Sequence, residues 1–456
     1  MLKKNDIIEI EITDITNLGF GVGRFDGQIV FASGAVTGDY ASVKIIKVNK
    51  SYAIARVEKI IKSSPHRCEG FCHHKSCKSC AYKEINYSHE LSLKGETIRA
   101  AFHSQNLDGV TVESVTPSPS ERAYRNKAQY PIAKATDGSF VIGFYAPKSH
   151  RVTDAVSCPL APDVFAKINT ALAQFFKEQD YTAYDEESGI GLLRHIYLRR
   201  SEKLGEVLLT LVINGDSLPK SDELIAMITA KFPEIVGILI NVNKENTNVV
   251  LGRKYITLYG KEYIRDELCE VDLKITAPSF YQVNHDATEL LYSKARELAD
   301  LQKSDTLLDL FCGIGSIGLS MASDAAELIG IEIVDAAVEC AKENAKNAGI
   351  ENAHFYAGDA TQTELLLANA EEKLGRKILP DVVILDPPRA GCDEKLVDFV
   401  SSLNPKRIVY ISCNPQTLAR DTKRFFENGY TTDKVFGFDL FPKTGHVESV
   451  LCLTKA

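Results

Sequence analysis

The chain has 456 residues, 45% of them hydrophobic and 25% charged, with a net charge of −8 at neutral pH. This is the composition of a folded globular protein and excludes a collagen-like or disordered chain. No run reaches the roughly 18 apolar residues of a membrane span, and MLKKNDIIEIEITDI has no signal-peptide core. A cytoplasmic protein of two or three domains, with no membrane contact, is expected.

Charge is spread unevenly. Residues 1–158 carry a net +5 and the remainder −13, so a basic front can dock RNA on an acidic body. Of eleven cysteines, four fall within Cys68–Cys80. That clustering suits metal binding and catalysis better than a disulfide framework.

Residues 1–60 read as a small β-barrel. The runs DIIEIEITDI, GQIVFASG, DYASVKIIKVNK and YAIARVEKI alternate or cluster apolar residues between glycine and aspartate turns. Small barrels of this kind commonly bind oligonucleotides, and this one resembles the TRAM domain, an RNA-binding barrel.

Residues 61–275 read as a mixed α+β domain carrying the cysteine cluster. Cys68, Cys72, Cys77 and Cys80, with His66, His73 and His74 at hand, offer a zinc site. Four thiolates would instead hold an iron–sulfur cluster, the preferred reading, with Cys158 as a distant ligand. Further on, Tyr124, Arg125, Lys127 and Tyr130, then Arg194, His195, Tyr197, Arg199 and Arg200, interleave rings and cations. Such a strip suits stacked bases and tracked phosphates, or a solvated sheet face.

From residue 276 the pattern is regular α/β, expected as a doubly wound sheet of seven strands. TLLDLF runs into CGIGSIGL, with Gly313, Gly315 and Gly318 in GxGxxG spacing and Glu332 19 residues after Gly313. A glycine turn after a strand, with an acid about 20 residues on, is a nucleotide cradle. Acidic tips at Glu332 and Asp359 suit NAD or S-adenosylmethionine, and the LDPPR run favours the latter. Asp386 and Cys413 each end an apolar strand, at the edge where open α/β sheets bind ligands.

Cys413 precedes a helix, whose N-terminus favours thiolate. A presented cysteine and an absent aromatic after DPP point to a pyrimidine carbon as target. Thiolate addition at uracil C6 turns C5 into a carbon nucleophile. Removing the C5 proton afterwards calls for a base, and Glu448, where the last strand begins, is the candidate, with His446 as rival.

DLFCGIGSIGL, LDPPRAG, YISCNPQTLARD and GHVESVLCL, with SFYQVN before them, resemble the RNA uridine-C5 methyltransferases, nearest the members acting on large-subunit (23S) rRNA. The resemblance spans essentially the whole chain. It implies Cys413 as nucleophile, Glu448 as base, and cofactor contacts from Gln282, Phe311, Ser316, Glu332, Asp359 and Asp386. It also implies a four-iron (4Fe–4S) cluster on Cys-x5-Cys-x2-Cys plus a distant cysteine. This sequence departs from that pattern: Cys77 and Cys80 match, Cys158 is the distant candidate, and the first ligand is Cys68 or Cys72, with Cys68 preferred because it follows PHR. The expected partner is rRNA, with no obligate protein partner. The same chemistry on tRNA, or a catalytically silent RNA-binding factor, are the alternatives.

Overall fold

The computed structural model describes residues 2–74, 77–147, 149–359, 362 and 365–456. In IIEIEITDI the period-two pattern turns Ile8, Ile10 and Ile12 inward. Strand Ile7–Ile15 pairs antiparallel with Phe20–Phe25 and Tyr40–Val48, and Gln28–Ser33 and Tyr52–Lys62 close a five-stranded barrel. Its interior is filled by Val30, Ala32, Val43, Ile45 and Ala55.

A seven-stranded sheet follows, in the order Lys254–Gly260, Ile235–Val242, Val207–Ile213, Leu193–Arg200, Lys127–Lys134, Phe140–Tyr145, Val152–Asp154. Helices Asp163–Glu178 and Ser221–Lys231 cover one face with Phe165, Ile168, Leu224 and Ile228. On the other face Tyr197, Leu208 and Leu239 share a core with the C-terminal domain.

That two-sided burial corrects one expectation. Tyr130 and Arg199 are fully buried, and Tyr124, Arg194, His195 and Tyr197 nearly so. Strand Leu193–Arg200 lies inside the sheet with both faces covered except at half-buried Arg200, so Arg194, His195, Tyr197 and Arg199 are core rather than an RNA platform. Arg199 donates from Nη2 to the Tyr197 hydroxyl at 2.8 Å and to the Ser279 carbonyl at 2.6 Å.

The C-terminal sheet has the order Ala353–Ala357, Glu327–Glu332, Thr306–Leu310, Val382–Leu385, Arg407–Ser412, Glu448–Lys455, Lys434–Phe438, Thr111–Val112, with Tyr430–Thr431 beside Glu448–Lys455. The seven expected strands are all present. The first five are parallel and Glu448–Lys455 runs antiparallel to them. The two short additions are Tyr430–Thr431 and Thr111–Val112, which lies parallel to Lys434–Phe438.

Helices cover both faces. Leu291 and Ala295 of His285–Ala299 and Val338 and Ala341 of Asp335–Asn347 pack on one side. On the other, Ile98 and Phe102 of helix Tyr87–Ser104 join Leu396, Leu418 and Phe425. The strand order reverses between Thr306–Leu310 and Val382–Leu385, and a crevice for a ligand opens at such a switch point. No helix among the described residues is long and apolar enough to cross a membrane.

Candidate active site

Strand Arg407–Ser412 is buried except at Arg407 and delivers Cys413 to the sheet edge. The chain then turns at once into helix Pro415–Glu427, capped by the Asn414 side chain, which accepts from Gln416 N, with Pro415 at the first helical position. Asn414 Nδ2 also donates to the Arg389 carbonyl at 3.0 Å, tying the cysteine turn to the Asp386–Arg389 loop.

Glu448 opens the neighbouring antiparallel strand. Ser412 pairs with Ser449, so Cys413 and Glu448 each lie one residue beyond that pair, at the same end of the ladder. Glu448 is 3% exposed. Burial, then the Asp386 carboxylate, push its carboxyl up to about 8, with Arg389 opposing. Burial alone pushes Asp386 up to about 7.

The Cys413 thiol is held above its ordinary value, first by burial and then by Glu448, while a hydrogen bond and charge from Arg389 pull it down. The helix N-terminus is expected to favour thiolate, and burial and the neighbouring Glu448 carboxylate act against it. Arg389 is the counter-charge that the sequence reading left without a role. His446, the rival base, has its Nε2 3.5 Å from Arg389 Nη2 and is kept neutral by burial and by nearby cations.

Phe311, Ser316, Glu332 and Asp359 lie at or soon after strand ends of the C-terminal sheet, and Gln282 precedes helix His285–Ala299. Phe311 follows strand Thr306–Leu310 at φ +66°, and Gly313 and Gly315 at +56° and +84° complete the turn. Glu332, at the tip of the next strand, accepts from Gly313 N at 3.1 Å and from Val334 N at 2.9 Å. Ser316 begins the short helix Ser316–Met321, its Oγ 3.2 Å from the Tyr292 hydroxyl. Asp359 follows strand Ala353–Ala357 and accepts from Gln362 Nε2 at 3.2 Å. Gln282 is nearly buried, its carbonyl accepting from Asn126 Nδ2 at 2.8 Å.

Asp309 escaped the sequence reading. It is fully buried in strand Thr306–Leu310, and Oδ2 accepts from Gly318 N at 3.0 Å. Burial pushes its carboxyl up to about 8. An acid inside an apolar strand, nine residues before the third glycine, was the available signal.

The family described as tRNA (uracil-5-)-methyltransferase matches residues 86–456, and the TRAM domain matches residues 2–57. The chain belongs to the tRNA (uracil-5-)-methyltransferase family. It is an S-adenosylmethionine-dependent RNA (uracil-C5) methyltransferase. An uncharacterized RNA methyltransferase from Clostridium acetobutylicum is 38% identical, covering 100% of this chain and 98% of its own. One from Halalkalibacterium halodurans is 37% identical over 99% of this chain and 98% of its own. A solved structure of Pyrococcus abyssi tRNA (uracil-54, C5)-methyltransferase with S-adenosyl-L-homocysteine is 27% identical. It superposes with a TM-score of 0.79 over 98% of this chain and 99% of its own.

The residues of this methyltransferase fit that cofactor. Gly313 has nothing within 4 Å of where a Cβ would stand, so its backbone lies open to a ligand. Asp386 follows strand Val382–Leu385, which borders the switch point, and Glu332 ends strand Glu327–Glu332, one strand further out on the other side.

The cysteines divide in a way the methyltransferase sequence did not suggest. Cys72, Cys77, Cys80 and Cys158 line one cavity of about 310 Å³, together with His74, Arg125 and Lys127. Burial, then the neighbouring thiols, push Cys80 up to about 12, with Arg125 opposing. Cys68 does not line this cavity; its N–H donates to the Glu84 carbonyl at 2.9 Å, and its thiol feels Lys443 and Glu121 instead. The preference for Cys68 over Cys72 is thus not matched by the geometry, because the chain leaving Pro65 turns Cys68 toward Glu84.

Among the described residues, the only group of three metal-type ligands within 4.8 Å of one another is His285, Asp286 and Glu289. No compact cysteine set is among them. In the His285 group both ring nitrogens have acceptors, the Glu267 carbonyl at 2.6 Å and Asp286 at 3.0 Å. Burial opposes a charge on that ring, but the two hydrogen bonds raise its pKa, which suits an ion pair rather than a ligand.

Proposed function

We propose that this enzyme methylates C5 of a uridine in RNA through a covalent adduct on Cys413, with Glu448 as the general base. The observation that carries the reading is the shared strand end: Cys413 and Glu448 flank the Ser412–Ser449 pair, with Arg389 acting on both. The Cys413 thiolate adds to uracil C6, forming the C6–S bond and making C5 nucleophilic. Bound S-adenosylmethionine supplies an electrophilic methyl group. Once C5 carries that methyl, Glu448 takes the C5 proton and the electron pair expels the Cys413 sulfur, restoring the ring. Arg389 stabilises both anions. The base must leave any stack to reach this edge.

For the cofactor, Glu332 and Asp386 are the proposed polar anchors, with Phe311, Ser316, Gln282 and Asp359 contributing around the same turn. For the metal, Cys72, Cys77, Cys80 and Cys158 are proposed to hold a four-iron cluster. Their common cavity and the two cations beside it favour a polythiolate anion.

The substrate is proposed to be a tRNA uridine. The solved relative acts on uracil-54 of tRNA, which supports tRNA over the large-subunit rRNA expected from the motifs.

The test is incubation with methyl-labelled S-adenosylmethionine and unmodified total RNA, followed by separation of the RNAs and digestion to nucleosides. Label in 5-methyluridine from tRNA supports reaction and substrate together. Label in large-subunit rRNA keeps the chemistry and restores the rRNA reading. A Cys413→Ala enzyme that retains full activity removes the covalent mechanism.

A further inference from the structure

The segment 439–447, between strand Lys434–Phe438 and strand Glu448–Lys455, forms no regular element. Even so, Asp439, Leu440, Lys443 and Thr444 are almost wholly buried. Buried irregular backbone must find hydrogen-bond partners, and here distant parts of the chain supply them. Asn284 Nδ2 donates to the Leu440 carbonyl at 3.1 Å, and the Tyr124 hydroxyl donates to the Pro442 carbonyl at 3.0 Å. Tyr82 N donates to the Lys443 carbonyl at 3.0 Å. Lys443, held at φ +67°, donates its own N–H to Glu90 Oε1 at 2.6 Å.

A buried ion network sits beneath this segment. Lys94 Nζ, on helix Tyr87–Ser104, lies 2.8 Å from the Glu90 carboxylate and 2.7 Å from Asp439. It also donates to the Phe441 carbonyl at 3.2 Å. Lys443 Nζ lies 2.6 Å from Glu121 and 3.4 Å from Glu90. Desolvated ion pairs are a poor route to stability, and in some proteins they serve instead to fix one arrangement against others. From above, the N-terminal barrel presses on the same segment. Its first turn brings the Asn17 backbone so close to Gly445 that a Cβ there would collide with the Asn17 carbonyl. Gly445 lies three residues before Glu448.

We propose that Lys94, Asp439 and Gly445 are positioning residues for Glu448, and that barrel and helix together hold the backbone entering it for the proton-removal step. This rests on the assignment of Glu448 as the base. A functional group has to be held to within about half an ångström, and the packing around it does that holding. The contact also makes the RNA-binding barrel a fixed part of the active-site frame rather than a tethered accessory.

The test uses full-length Lys94→Met and Gly445→Ala enzymes with S-adenosylmethionine and the RNA substrate in a single turnover. The protein–RNA adduct is read on a denaturing gel alongside 5-methyluridine. Expected is adduct formation within about threefold of wild type and release slowed at least tenfold, so that methylated adduct accumulates. Should Lys94→Met fail to fold, Gly445→Ala, which displaces the Asn17 backbone, and the milder Asp439→Asn decide, each with its fold checked by circular dichroism. Release at the wild-type rate, or lost activity with no adduct, overturns the proposal. If Glu448→Gln itself accumulates no adduct while Cys413→Ala abolishes it, the base assignment has failed, and that outcome is distinct from a failure of positioning.

Discussion

Cys413 and Glu448 stand one residue past the Ser412–Ser449 pair of two antiparallel strands, so the proposed nucleophile and the proposed base share one strand end. Opposed residues of such a pair lie about 5 Å apart and on the same face.

Glu448→Gln keeps size and hydrogen bonding but cannot take a proton. The expected outcome is retained adduct formation and a fall in turnover of about 10²- to 10⁴-fold, the usual share of a general base. Quench-flow with labelled RNA separates the two steps.

In the proposed mechanism both groups act in their deprotonated forms, and the site disfavours those forms. Glu448 is pushed up to about 8 and Cys413 above its ordinary value, each first by burial. Single-turnover rates should therefore rise with pH from 7 toward 9. Arg389 opposes both shifts, so Arg389→Gln is expected to move the rising limb to higher pH by about one unit. An unmoved limb would falsify the role given to Arg389.

Asp309 makes a stability prediction with the opposite sign to an ordinary carboxylate. Its folded value, about 8, lies above the unfolded value near 4. The folded state thus binds the extra proton, and stability falls as pH rises from about 4 to 8, then levels off. Asp309→Asn keeps an acceptor for Gly318 N and removes the ionisation. Melting temperatures should show a smaller loss between pH 5 and pH 8 for the variant than for wild type.

The cysteine cavity separates two near-identical substitutions. After anaerobic reconstitution with iron and sulfide, Cys72→Ser should lose most bound iron and its charge-transfer absorbance. Cys68→Ser should keep both, since Cys68 does not line the cavity. Iron analysis and the visible spectrum decide it.

The barrel and the C-terminal sheet were legible because their signals are local: period-two strands, a glycine turn directly after a strand, prolines at strand ends. Asp386, Cys413 and Glu448 were legible for the same reason, each being the polar residue that stops or starts an apolar run. The strip from Arg194 to Arg200 misled because its alternation of rings and cations looks alike whether its second face meets water or another domain. Lys94 and Asp439 gave no sign of each other; a pairing across 345 residues leaves no periodicity to read. Cys72 and Cys68 differ only in where a loop turns, which spacing alone does not encode.

The short strand Thr111–Val112 completes the C-terminal sheet by pairing with Lys434 and Val435. It leaves the ribosome about 320 residues before its partner is made. At the usual rate of roughly 5–20 residues per second, helix Tyr87–Ser104 and its strand wait on the order of 15 to 65 seconds with an apolar face uncovered. The barrel can close at once from its own strands, but the methyltransferase domain cannot finish folding until strands Lys434–Phe438 and Glu448–Lys455 have been made. Premature termination upstream of residue 434 should therefore leave a sound barrel joined to an exposed, aggregation-prone helix, a natural target for chaperones.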